Sequence, residues 1–262
     1  ENRLSNCIYL CHCLEVVDTQ LNQRAKPFIN PLCVALDVDT TDKAQELSES
    51  LADIVGGFKI GPRLIHRYGP EILKKISSAT VFVDCKFFDI PSTMEAAVSS
   101  CFEMGARVVT VHALAGATAL ETMAKIEAKF STAERPCRVL PVTVLTSWDQ
   151  QSLPSNFLPV SISEHVQKLA QLVQESGLKG LVCSGEELQF LKPKLAEDFF
   201  YLVPGIRFKS DEVGDQKRVM DPPTAMRAGA SALVVGRPIL NAKSPREAAM
   251  DFIAAIYEKK ST

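Results

Sequence analysis

The chain has 262 residues, of which 46% are hydrophobic and 23% charged, enough to bury a large core within the ~250 residues of a single α/β barrel. Lys and Arg number 29 against 31 Asp and Glu, a net charge of -2. With no long basic run, that balance argues against a nucleic-acid partner.

Residues 1–27 are expected to form an extension, helical or partly disordered, ahead of a barrel domain over residues 28–262. Glu1 reads as a processed, truncated or engineered start. Leu10, Leu14, Val17 and Leu21 follow helical steps and make one apolar stripe, which predicts an added helix packed on the barrel. The apolar run Cys7 to Leu14 is too short to span a bilayer and lacks the basic lead and cleavage site of a secretory signal, so no membrane partner is expected. Cys7, Cys11, His12 and Cys13 are ligand types suited to zinc, but their spacing offers no second pair to complete a site. Of the eight cysteines, Cys33, Cys85, Cys101, Cys137 and Cys183 sit singly in apolar segments. They read as buried thiols of a reducing compartment, the cytoplasm.

From Leu32 onward, short apolar runs alternate with amphipathic stretches, the pattern of parallel strands joined by helices. Leu32 to Asp37 is the first strand, and Thr40-Thr41-Asp42 caps a helix to about Ile54. Phe58 to Ile60 is the second, ended by Gly61-Pro62, where proline suits a first helical turn. Thr80 to Lys86 is the third, and a helix from Pro91 stops at Gly105. Arg107 to His112 is the fourth, Gly116 to Phe130 its helix, and Arg138 to Thr146 the fifth. Residues 147–163 make a long polar interval of the kind that forms functional lids, before a helix from Glu164 to Glu175. Gly180 to Cys183, Phe199 to Val203 and Ala232 to Val235 are the sixth to eighth strands. Their helices run over Glu186 to Leu195, Pro223 to Ala228 and Arg246 to Tyr257, with a second long loop from Arg207 to Met220. About eight strand-helix units predict a (β/α)8 TIM barrel with a short N-terminal helical extension. The runner-up, an open doubly wound sheet, lacks a GxGxxG after its first strand.

The third strand carries charges that a core would not tolerate. Side chains two apart share a face, so Asp84 and Lys86 are expected to project together. Active sites of such barrels lie at the C-terminal strand ends, where the polar residues are Asp37, Lys59, Asp84, Lys86, Asp89, His112, Thr146, Arg207, Gly236 and Arg237. Two acids alternating with two lysines neutralise one another and stay ionised. Gly236 and Arg237 end the eighth strand, where barrels frequently hold phosphate, and Arg207 and Gln216 lie on the loop that could close over it. The residues alone therefore predict an enzyme on a small phosphorylated substrate. They leave isomerisation, cleavage and decarboxylation open.

The run Asp84-Cys85-Lys86-Phe87-Phe88-Asp89-Ile90-Pro91-Ser92-Thr93 resembles the DxKxxDIPxT signature of the orotidine 5'-phosphate decarboxylases, most closely their bacterial branch. The likeness continues through Ala35-Leu36-Asp37, Lys59-Ile60-Gly61, Val144-Leu145-Thr146-Ser147, Pro204-Gly205-Ile206-Arg207, Gly214-Asp215-Gln216 and Gly236-Arg237-Pro238. It implies decarboxylation of orotidine 5'-monophosphate to UMP and carbon dioxide without a cofactor or metal. Lys86 would protonate the carbon that loses the carboxylate, Asp84 would face that carboxylate, and Lys59 would bridge carboxylates and ribose. Asp37 would hold the ribose hydroxyls, Thr146 the base, and Arg207, Gln216, Gly236 and Arg237 the phosphate. Asp89, counted with Lys59, Asp84 and Lys86 as catalytic, and Thr93 would serve the active site of a second subunit, and Ile90 and Pro91 of the same motif would bind substrate, so a homodimer with shared sites is implied. The rival readings are a magnesium-dependent sugar-phosphate decarboxylase or aldolase, which carries a carboxylate where Lys59 stands, and a non-catalytic nucleotide-binding barrel.

Overall fold

The computed structural model describes residues 27–76, 79–155, 157–209, 211 and 218–258. The anticipated N-terminal helix, the Cys7 to Cys13 cluster and Gln216 lie outside the described residues. Eight short apolar runs form strands: Leu32–Ala35 (β1), Gly57–Ile60 (β2), Thr80–Phe87 (β3), Val108–His112 (β4), Arg138–Val142 (β5), Gly180–Val182 (β6), Phe200–Val203 (β7) and Ala232–Val235 (β8). They pair in parallel in chain order, and β8 closes on β1 through Leu32 with Leu233 and Cys33 with Val234. The expected TIM barrel is therefore the observed fold.

Helices return the chain from each strand end. They are Thr41–Leu51 (α1), Pro62–Tyr68 (α2), Pro91–Glu103 (α3), Ala117–Phe130 (α4), Ile162–Glu175 (α5), Leu188–Leu191 (α6), Pro222–Ala228 (α7), Arg237–Leu240 (α8) and Pro245–Tyr257 (α9). Thr40, Ser161 and Ser244 cap α1, α5 and α9, each side chain accepting a backbone N–H three residues on and so satisfying a donor with no partner inside the helix. Pro62, Pro91, Pro222 and Pro245 each stand in a first turn, where a missing N–H costs nothing.

Strand alternation separates two apolar layers. Val34, Val83, Val109, Val111, Leu181 and Val203 pack outward against the helices. Ala35, Phe82, Val108, Leu140, Leu202 and Val234 fill the barrel interior. Phe28 closes the lower end, its ring 6.4 Å from that of Phe200. Gly57 makes room for it, since a Cβ there would lie 2.8 Å from the Phe28 ring and 2.5 Å from the Thr80 carbonyl oxygen.

Several boundaries differ from the sequence reading. β1 ends at Ala35 and β5 at Val142, so Asp37 and Thr146 stand beyond the ladder, on loops over the barrel mouth. The stretch read as one helix to Leu195 is a 3-10 turn, Gly185–Glu187, followed by the single turn of α6. Pro193 explains the early stop, because proline disfavours helix at the residue before it. The long interval after β5 is held on itself. Trp148 meets Phe157 edge-on at 5.7 Å, Phe157 meets His165 of α5 at 5.0 Å, and Gln150 bonds both the Val160 carbonyl and the Ile162 N–H.

Candidate active site

The C-terminal mouth of the barrel opens into a cavity of about 310 Å³, within the usual range for a small-molecule site. Asp37, Lys59, Asp84, Lys86, Thr146, Arg207, Gly236 and Arg237 all line it. The ends of six strands, β1, β2, β3, β5, β7 and β8, thus bring eight of the anticipated site residues to one space. Thr146 and Arg207 are buried, whereas Arg237 lies exposed at the rim.

At the floor the charges alternate in a continuous chain. Lys59 Nζ donates to Asp37 Oδ1 at 3.0 Å and lies 3.5 Å from Asp84 Oδ2. Lys86 Nζ donates to Asp84 Oδ1 at 2.8 Å. Lys59 and Asp84 are nearly enclosed, while the Lys86 side chain keeps 37% of its surface open toward the cavity. Burial alone would raise the Asp84 pKa, but the ammonium groups of Lys59 and Lys86, with hydrogen bonds from Lys86 and Thr110, hold it below the ordinary carboxylate value. Burial would conversely lower Lys59. Asp84 and Asp37 overcome it, and its pKa is raised. Both enclosed groups therefore remain charged at neutral pH. The Lys59 ammonium takes the space between two carboxylates that a divalent cation would need, so this donor set does not fit a resident metal.

The pairing of Asp84 and Lys86 holds, though not by plain alternation. β3 slips against β4 between Val83 and Phe87, and Lys86 has φ of +48°, the left-handed region that costs a side-chain-bearing residue roughly 1–3 kcal/mol. Polar contacts support this distorted stretch. Lys86 N donates to Thr110 Oγ1 at 3.0 Å, and Thr110 Oγ1 donates to Asp84 Oδ1 at 2.8 Å. The first-strand loop is braced in turn: Arg63 reaches the Asp37 carbonyl and Asp39 carboxylate, while Arg67 and Tyr68 donate to the Asp39 carbonyl.

Asp89, Ile90, Pro91 and Thr93 are not among the residues lining this cavity. They sit past the end of β3, where Asp89 Oδ1 accepts from the Ile90 N–H and Pro91 opens α3. Asp89 and Thr93 are exposed, and Phe88 and Ile90 keep 62% and 63% of their surface open. His112, singled out as a strand-end polar residue, is also outside the lining; its Nδ1 accepts from the Leu114 N–H, and its ring lies 5.7 Å from Phe88.

Sequence reasoning passed over two residues that build the site. Thr110 is fully buried on β4, two residues before His112 and on the same face, so the alternation rule applied to Asp84 would have found it. Arg218 lies near the end of the second long loop. It pairs with buried Glu187, donates from Nη2 to the Val144 and Leu145 carbonyls at 3.1 Å each, and from its backbone N–H to the Thr146 carbonyl. It thereby fixes the segment that carries Thr146 over the cavity.

In sequence and fold the chain is similar to known proteins. The model of the family described as "Orotidine 5'-phosphate decarboxylase / HUMPS family" matches residues 30–252. A relative from Shewanella sediminis, named orotidine 5'-phosphate decarboxylase, is 39% identical over 233 residues, 88% of this chain and 97% of its own. One of the same name from Carboxydothermus hydrogenoformans is 38% identical over 226 residues, 85% and 94% of the two chains. Among solved structures, orotidine 5'-phosphate decarboxylase from Lactobacillus acidophilus superposes with a TM-score of 0.75 at 29% identity, covering 87% of this chain and 99% of that one.

Proposed function

Because the chain belongs to the orotidine 5'-phosphate decarboxylase / HUMPS family, we propose that the charge chain at its barrel mouth performs the decarboxylation of orotidine 5'-monophosphate to UMP and carbon dioxide, with Lys86 as proton donor. The reaction is that of a carboxy-lyase in pyrimidine biosynthesis. The observation that carries the assignment of roles is the unbroken series Asp37, Lys59, Asp84, Lys86, ending in an ammonium open to the cavity.

The chemistry follows from where charge develops. The bond between the ring carbon and its carboxylate breaks, carbon dioxide leaves, and the electron pair stays on a ring carbon that delocalises it poorly. A fixed ammonium beside that carbon stabilises the negative charge as it forms and then supplies the proton, giving UMP. Asp84 holds Lys86 in place and faces the departing carboxylate. Lys59, fixed between two acids, needs no rearrangement to meet the substrate. Asp37 takes the ribose hydroxyls, Thr146 the base, and Arg207, Gly236 and Arg237 the phosphate, joined by Gln216 from the loop. Phosphate contacts far from the reacting carbon contribute binding energy that holds the substrate in the reactive geometry.

Asp89, Ile90, Pro91 and Thr93 act, in this reading, on the cavity of a second subunit. Their position outside their own cavity and the exposed Phe88 and Ile90 beside them support a homodimer with shared sites. Mixing Asp89→Ala with Lys86→Ala subunits should restore activity through hybrid sites intact in both positions; no recovery after proven subunit exchange would argue for self-contained sites. The enzyme is assigned to the cytoplasm, which suits the free, buried thiols of Cys33, Cys101, Cys137 and Cys183.

The fall in ultraviolet absorbance as orotidine 5'-monophosphate is consumed tests the reaction. Turnover should persist at full rate in excess chelator. Strict dependence on magnesium would overturn the metal-free scheme and favour a sugar-phosphate enzyme of the same barrel type.

A further inference from the structure

β3 and β4 are in register at Phe82 with Val108 and at Val83 with Val109, and pairing resumes at Phe87 with Val111. Asp84, Cys85 and Lys86 therefore stand against Thr110 alone. Such a bulge re-aims side chains and removes backbone groups from the ladder. Among the described residues, Lys86 is the one non-glycine with positive φ, so the distortion peaks at the residue whose ammonium faces the cavity.

A displaced backbone N–H in a barrel interior needs a partner. Thr110 supplies it: fully buried, its hydroxyl oxygen accepts from the Lys86 N–H at 3.0 Å. The hydroxyl proton then points to Asp84 Oδ1, 2.8 Å away. The same carboxylate oxygen accepts from Lys86 Nζ, also at 2.8 Å, which closes a loop from the Lys86 backbone through Thr110 and Asp84 back to the Lys86 side chain. The neighbouring strand residues, Val108, Val109 and Val111, are all valine, and valine would fill nearly the same volume as threonine. The hydroxyl is what distinguishes this position.

We propose that Thr110 is a positioning residue for the decarboxylation: its hydroxyl holds the bulged backbone of Lys86 against the carboxylate of Asp84 and so fixes where the proton-donating ammonium stands. The inference rests on the roles given above to Lys86 and Asp84. It differs from a packing role in a way that paired substitutions separate. Thr110→Val keeps the volume and removes both hydrogen bonds, whereas Thr110→Ser keeps both bonds and removes a methyl group.

The experiment is steady-state decarboxylation by the full chain carrying each substitution, with UMP affinity measured by calorimetry. Thr110→Val should lose about 10- to 100-fold in kcat, the scale of a hydrogen bond to a charged group. Its UMP affinity should stay within about threefold, because the substrate-gripping residues are untouched. Thr110→Ser should keep kcat within about threefold of wild type. Should Thr110→Val not fold, Thr110→Ala is read by the same criterion. A kcat for Thr110→Val within about twofold of wild type, or a loss in Thr110→Ser equal to that in Thr110→Val, overturns the proposal. Lys86→Ala is run beside them. Full activity there overturns the role of Lys86 itself, whereas an inactive Lys86→Ala beside an unaffected Thr110→Val removes only the role of Thr110.

Discussion

The two ends of the barrel are built from the same eight strands and solve opposite problems. At the lower end Phe28 lies over Phe200 in the space left by Gly57, and the interior there is apolar. At the upper end the interior faces of β2 and β3 carry Lys59, Asp84 and Lys86, whose burial an apolar alternative would outdo as a source of stability. Apolar packing fills the lower end, while charge, a bulged strand and a left-handed lysine are concentrated at the mouth. Stability and chemistry are thus separable along the barrel axis.

The largest expected effect on the stability side is at Phe28. Phe28→Ala should cost about 3–5 kcal/mol by leaving a cavity under the barrel, while kcat per folded molecule is unchanged. Urea unfolding and an activity assay on the same sample would check both, and a matching fall in kcat would break the division between the two ends.

At the mouth, Asp84 links the charge chain to pH. Its folded pKa is depressed, so its contribution is fully present above the ordinary carboxylate value near ~4 and is lost as pH falls through the lower folded value. Unfolding midpoints of wild type should therefore drop steeply on the acid side. In Asp84→Asn that limb should be flatter, and an unaltered acid limb would contradict the ion-chain account.

Arg237 stands exposed at the rim and is assigned to the substrate phosphate. Arg237→Ala should raise KM by about 10- to 100-fold, the scale of a lost charged contact, with little change in melting temperature. The smallest effect belongs to a surface pair: Arg246 on α9 is bidentate to Asp53 at 2.7 and 2.6 Å. Both partners are exposed, and Asp53→Asn should shift stability by less than about 1 kcal/mol with no effect on activity.

The barrel was legible because each strand is buried on both sides and reads as a short apolar run, while the helices carry caps and amphipathic faces. Strand ends were harder. Val144 and Leu145 continue the apolar pattern beyond β5, but they line the cavity instead of joining the ladder. The charged site residues stood out because Asp84 and Lys86 have no place in an ordinary core. Thr110 drew no notice although alternation places it on the interior face, since threonine is common in strands and its bond to Lys86 depends on a register slip that the sequence does not display. His112 drew notice as a polar strand end, yet it caps the turn that follows. Arg218 belongs to a loop whose mixed composition gave no hint of the buried Glu187 that receives it.

The central claim is that the Lys86 ammonium, held by Asp84 at the cavity floor, drives the loss of carbon dioxide. Its most direct test is the decarboxylation rate of Lys86→Ala beside its affinity for UMP. The account predicts a fall in kcat of at least about 10⁴-fold, combining lost charge stabilisation with a lost proton donor, while UMP still binds and the fold still melts cooperatively. A variant that decarboxylates at the wild-type rate would contradict it.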